Sequence, residues 1–205
     1  MAENRVVTIA REYGSGGRTM GKMLADDLGW QYYDRELLRL ASDDSGISEQ
    51  LFAQADEKAK RTPLFRVARD VLDGQVIPPD REDFVSNENL FRYQAKIIRR
   101  LAETENCVIV GRCANYILRD MPGVVKLYVH APYESCVNTV MNMFDMTRDA
   151  AEKKIRDTDR RRADYYRYFT GHNWKDADYY DLCLDSAKLG WDKCIAVVKA
   201  YLSIL

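Results

Sequence analysis

Residues 11–19 read Arg-Glu-Tyr-Gly-Ser-Gly-Gly-Arg-Thr. The small residues Gly14, Ser15, Gly16 and Gly17 let successive backbone N–H groups approach the oxygens of one anion. A helix starting directly after them adds the positive end of its dipole. Arg18 contributes a charge-assisted donor and Thr19 a hydroxyl. The chemistry this pattern serves is phosphate binding. A second register also exists: Gly16, Gly21 and Lys22 match G-x-x-x-x-G-K. Met23 then stands where Ser or Thr belongs, and the first amphipathic turn of the helix becomes loop. Met20, Met23, Leu24 and Leu28 recur at helical spacing and Gly29 follows as a C-cap. The first register is therefore adopted, and Lys22 becomes a solvent-facing helix residue.

Other residues with chemical potential are mostly basic. Arg112 follows a continuous apolar run, CVIV, at the kind of strand end where ligands bind in open α/β sheets. Residues 147–170 carry Arg148, Lys153, Lys154, Arg156, Arg160, Arg161, Arg162 and Arg167. Arg156, Arg160 and Arg167 share one helical face. A charge run of this kind is commonly a solvated helix held by pairs such as Glu152–Arg156. Asp34 precedes a helical pattern and is expected to be its N-cap. Tyr165, Tyr166, Tyr168 and Phe169 are expected to pack rather than to stack on a ligand.

These positions need elements to hold them. Residues 5–10, 30–33, 107–110, 124–129 and 181–184 are expected strands. Helices are expected after the glycine loop, after Asp34, from Asn87 to about residue 102, over 133–144 and from Trp191 onward. Asp43 to Gly46 is expected to be a turn, residues 48–72 mixed helical and charged, and residues 73–86 a loop. Strands alternating with helices imply an α/β chain with a mostly parallel five-stranded sheet covered on both faces.

Composition narrows the function classes. The chain has 205 residues, 46% hydrophobic and 31% charged, which suits one domain spanning 1–205. The net charge of -1 offers no general attraction to nucleic acid or to an anionic membrane. Five cysteines without a C-x-x-C pair, and only two histidines, argue against a disulfide framework, a zinc site or a histidine-rich metal site. The N-terminal residues lack an apolar signal region, and no stretch of about 18 apolar residues could span a bilayer. A cytoplasmic protein with small-molecule partners is expected, either monomeric or oligomeric.

Three segments, REYGSGGRTMGKMLADDLGWQYYDRELL, VIVGRCANYIL and TDRRRADYYRYFTG, together resemble the cytidylate-kinase-like family of P-loop nucleoside monophosphate kinases. The resemblance extends over nearly the whole chain. It implies a three-layer P-loop kinase fold, with residues 35–90 as acceptor-binding lobe and 147–170 as a lid. It implies ATP and Mg²⁺ as cofactors and transfer of the γ-phosphoryl to a nucleoside monophosphate, CMP-like. It assigns Gly14, Ser15, Gly16, Gly17, Arg18 and Thr19 to the ATP phosphates, and Asp34, Arg35 and Arg112 to the acceptor. Arg18, Arg112, Arg156, Arg160 and Arg162 become the catalytic cations. Two positions depart from the family. Gly17 stands where relatives carry a lysine that reaches the β- and γ-phosphates, and Val110 replaces an aspartate before the Gly-Arg pair. Two other readings stay open: a catalytically weak nucleotide-binding pseudokinase or sensor, and a kinase of a different small acceptor.

Overall fold

The computed structural model describes residues 4–57 and 74–205. The expected mixed helical segment 48–72 falls partly outside those residues; its described part is helical. In chain order the elements are β1 (Val6–Arg11), α1 (Gly17–Leu28), β2 (Gln31–Tyr33), α2 (Glu36–Ser45), α3 (Glu49–Glu57), α4 (Asn87–Thr104), β3 (Cys107–Val110), α5 (Ala114–Ile117), β4 (Val124–His130), α6 (Tyr133–Phe144), α7 (Arg148–Thr170), β5 (Leu182–Asp185), α8 (Ser186–Leu189) and α9 (Trp191–Ile204). The sheet order is β2-β3-β1-β4-β5, and every pairing is parallel.

The β-branched run of β1 takes the centre because both of its faces are buried. Val6 faces one core together with Cys107, Ile109 and Tyr128. Val7 and Ile9 face the other, with Val108, Val110, Leu127 and Val129. Helices α2 and α4 cover the first face; α1 and α9 cover the second. This is the expected three-layer α/β architecture, with the parallel strands buried on both sides.

Helix α1 begins where the register argument placed it. Met20 and Leu24 are fully buried, whereas Lys22 is exposed and donates to Asp26 four residues on. The expected turn at residues 43–46 is the last turn of α2, which Gly46 closes in left-handed conformation. The expected loop at 73–86 contains a 3₁₀ turn, Glu82–Val85. The buried amide of Asn89 holds this segment, accepting from the Ile77 N–H and donating to the Ile77 and Phe84 carbonyls.

The lid candidate is one long helix, α7, capped by the Thr147 side chain and joined to α6 by three residues. Its C-terminal end lies in the main core, where Phe169 stacks on Phe91 at 4.0 Å. Tyr165, Tyr166 and Phe169 are buried packing residues. Its N-terminal half forms a smaller core with α6 through Val137, Val140, Ala151 and Ile155, and Tyr13 of the glycine loop packs against that core.

Candidate active site

The chain turns sharply between β1 and α1. Gly14 and Gly16 adopt φ of 87° and 77°, a region that L side chains enter at a cost. A Cβ on Gly14 would lie 2.7 Å from the Cys136 carbonyl oxygen, and one on Gly16 would lie 2.3 Å from Trp191 Nε1. The loop is anchored from below. The Ser15 hydroxyl donates to the Glu12 and Val129 carbonyls, and the Ser186 hydroxyl donates to the Ser15 and His130 carbonyls. Ser15 therefore shapes the loop with its side chain, and its N–H also turns back to the Glu12 carbonyl, at 3.4 Å.

No side chain caps α1, and its first turn contains no acid. The leading N–H groups of Gly17, Arg18 and Thr19 have no intrahelical acceptor. This leaves the positive end of the helix facing the mouth of the loop.

Asp34, at the end of β2, is 8% exposed and is the centre of the charge arrangement. Its carboxylate forms an ion pair with Arg18, 2.7 Å from Nε, and lies 3.9 Å from Arg11. The expectation that Asp34 caps α2 is not met: the N-cap is Arg35, with no side-chain bond. The carboxylate turns instead toward the two guanidinium groups, whose charge outweighs one capping hydrogen bond. Arg35 itself is exposed.

Arg11 enters the site from beneath the loop. Burial, and next the charge of Arg162, push its pKa down to about 9. Arg112 and Arg162 are also pushed down, chiefly by burial, and Asp34 counters the shift in both. Arg112 lies in an unusual stretch: Gly111, Arg112 and Cys113 take φ of 82°, 58° and 54° in succession. This left-handed turn swings the chain away from β3.

Arg162 docks α7 on the loop. Its guanidinium donates to the Arg11 carbonyl at 3.1 Å and to Asp159 at 3.4 Å, and lies over the Tyr13 ring. Asp159 in turn accepts from the Tyr13 N–H at 2.8 Å. Burial raises the Asp159 pKa, which its neighbour Arg162 opposes. Arg156 and Arg160 are exposed; they lie within 3.3 Å of Glu152 and 4.0 Å of Asp164, acids of their own helix. Of the lid arginines singled out in the sequence, Arg162 is thus the one gathered with Arg11, Arg18 and Asp34.

Arg11 is the residue that sequence reasoning left without a role. The signal for it was the arginine at the first position of the glycine loop.

Val110 is fully buried among Ile9, Met20 and Leu24 and offers no oxygen to a ligand. Among the described residues no group of three or more His, Cys, Asp or Glu side chains could hold a metal ion. The cysteines are free thiols, buried except for Cys183.

A parallel sheet of order 2-3-1-4-5, with a glycine loop leading from its central strand into a helix, defines a P-loop kinase fold. The match to the model of the cytidylate kinase-like family extends over residues 6–188, and the chain belongs to that family. It is similar to a cytidylate kinase from Methanosarcina barkeri (strain Fusaro / DSM 804), at 22% identity over 204 residues, covering 97% of each chain. Among solved structures, an uncharacterized protein from Eubacterium ventriosum ATCC 27560 superimposes with a TM-score of 0.71 at 24% identity, covering 98% of this chain and 99% of that one. Shikimate kinase from Bacteroides thetaiotaomicron shares the fold with a TM-score of 0.54 at 12% identity, covering 97% and 98%. Among the described residues no helix is long and apolar enough to cross a membrane.

Proposed function

We propose that the chain is a phosphotransferase that moves the γ-phosphoryl of ATP to a nucleoside monophosphate, CMP-like, at the C-terminal edge of the sheet. The observation that carries this is the meeting of an uncapped helix start with Arg11 and Arg18 around one buried carboxylate, with Arg162 held against the Arg11 carbonyl beside them. Phosphoryl transfer demands little covalent help from a protein. It demands positioning and positive charge around three equatorial oxygens.

In this reading the N–H groups of Gly14, Gly16, Gly17, Arg18 and Thr19 cradle the donor phosphates. Arg112 and Arg35 face the acceptor phosphate, within an acceptor lobe spanning residues 35–90. Arg162 joins the lid helix to the loop and brings charge over the transferring group. Asp34 keeps Arg11 and Arg18 oriented. The donors present suit a magnesium ion carried by the nucleotide, since such an ion keeps most of its shell as phosphate oxygens and water. Asp34 is already paired with Arg18 and Arg11, so the Thr19 hydroxyl is the protein oxygen that would hold it. Bound there, it would neutralise charge between donor and acceptor phosphates.

Gly17 and the buried Val110 favour a second reading, a nucleotide-binding protein with weak transfer or with a different small acceptor. A coupled assay with Mg²⁺-ATP over a panel of nucleoside monophosphates separates the two. The kinase reading expects a phosphorylated product, greatest with CMP. ATP binding without a product from any acceptor would rule that reading out.

A further inference from the structure

Two glycines make room for one arginine. A Cβ on Gly17 would fall 2.7 Å from the Arg11 Cβ and 3.3 Å from its Cγ. A Cβ on Gly111 would fall 2.6 Å from an Arg11 guanidinium nitrogen. The Arg11 stem therefore runs beneath the first turn of α1, and its head reaches the end of β3 beside Asp34. A side chain at position 17 and the Arg11 side chain compete for the same space. Position 17 is where the resemblance places the phosphate-binding lysine.

The Arg11 side chain is 17% exposed, and its head is poorly satisfied for a group with so little water. Its Nε is buried without a hydrogen-bond partner, and its nearest acid lies at 3.9 Å, beyond hydrogen-bonding distance. Burying a charged donor without full pairing is costly, so the arrangement calls for an anion that completes it. We propose that Arg11 is the phosphate-binding cation of this site: it supplies from the end of β1 the charge that relatives deliver from loop position 17, and Gly17 and Gly111 clear its path.

This rests on the phosphotransferase reading and names its missing cation. In the step served, the bond from the γ-phosphorus to the leaving ADP oxygen breaks and a bond to the acceptor's phosphate oxygen forms. Arg11 stays protonated throughout and shields the charge on the transferring group.

The test compares wild type with Arg11→Gln, Arg11→Gly, Gly17→Lys and the double variant Arg11→Gly/Gly17→Lys. Glutamine keeps the bulk and hydrogen-bonding capacity of the side chain and removes its charge. Metal-free tripolyphosphate is titrated by calorimetry, and turnover is measured with Mg²⁺-ATP and CMP. Arg11→Gln should bind tripolyphosphate about 10- to 100-fold more weakly while melting no lower than Asp34→Asn, which breaks the same ion pair. Transfer should fall about 100-fold. Gly17→Lys alone should melt lower, because it forces the overlap with Arg11. The double variant should regain at least about tenfold of the binding lost in Arg11→Gly, because charge and space are restored together. Unchanged tripolyphosphate affinity in Arg11→Gln would overturn the proposal whether or not the protein turns over. A wild type that binds tripolyphosphate through Arg11 but phosphorylates no acceptor would overturn the kinase reading and leave the role of Arg11 standing.

Discussion

Replacing Asp34 by asparagine should destabilise the free protein and sharpen its appetite for polyphosphate. The carboxylate lies 3.9 Å from Arg11, and at the effective dielectric of a protein site that separation corresponds to about 4 kcal/mol of gross attraction. Its contact with Arg18 is closer, but that guanidinium is 61% exposed, so the pair contributes less than about 1 kcal/mol. Relief of the carboxylate's own desolvation offsets part of the sum. A net loss of about 3 kcal/mol remains, at the lower edge of what breaking a buried ion pair costs. For a chain of this size, that lowers Tm by about 6–12 °C. Tripolyphosphate without metal should then bind the variant more tightly than wild type, because its charge takes the place of the missing carboxylate. Thermal melts with and without tripolyphosphate measure both effects. A variant that melts within about 2 °C of wild type, or that gains less from the polyanion, would show that Asp34 does not hold the guanidinium cluster together.

Arg162→Ala should lower turnover about 100-fold, and Arg156→Ala should change it by less than about threefold, since only the first guanidinium touches the loop; steady-state rates decide. Gly16→Ala adds about 1–2 kcal/mol of left-handed strain and overlaps Trp191, so ATP affinity should drop at least tenfold, with partial recovery in Gly16→Ala/Trp191→Ala. Nucleotide binding should change the emission of Trp191, and the change should vanish in Trp191→Phe. The depressed pKa of Arg11 also sets a pH dependence. Its native value, about 9, lies below its unfolded one, so the native state loses this proton first. Above pH 9 this group's contribution to stability rises with pH, while the charge that binds phosphate is lost. Tripolyphosphate affinity should therefore fall as pH passes about 9 in wild type and stay flatter in Arg11→Gln.

The loop register was legible because two periodicities met there: an apolar strand ended and the Met20, Leu24, Leu28 stripe began. The long-range choices were not. Arg156, Arg160 and Arg167 were grouped by spacing alone, yet the face of α7 that turns inward is the one marked by Ala151, Ile155, Tyr166 and Phe169. Asp159 and Arg162 continue that apolar stripe at helical steps of three and four. A polar pair interrupting a buried stripe was the available sign that these two, and not the outer arginines, meet the loop. Asp34 looked like a cap because caps are local, whereas the guanidinium groups that claimed it come from other parts of the chain. Arg11 stood at the end of a strand, where alternation no longer tells burial from exposure. Its path is set by Gly17 and Gly111, which lie far apart in the chain and flank it only in the fold.

The left-handed turn at Gly111, Arg112 and Cys113 has a consequence for how this sequence can change. Two consecutive residues with side chains hold conformations that cost about 1–2 kcal/mol each. Arg112→Gly would release such strain, together with a guanidinium that burial disfavours. A screen for heat resistance alone should therefore enrich that substitution, and selection for catalysis should purge it. Opposite fates under the two regimes would mark the turn as a place where the lineage has kept stability low in exchange for a working site.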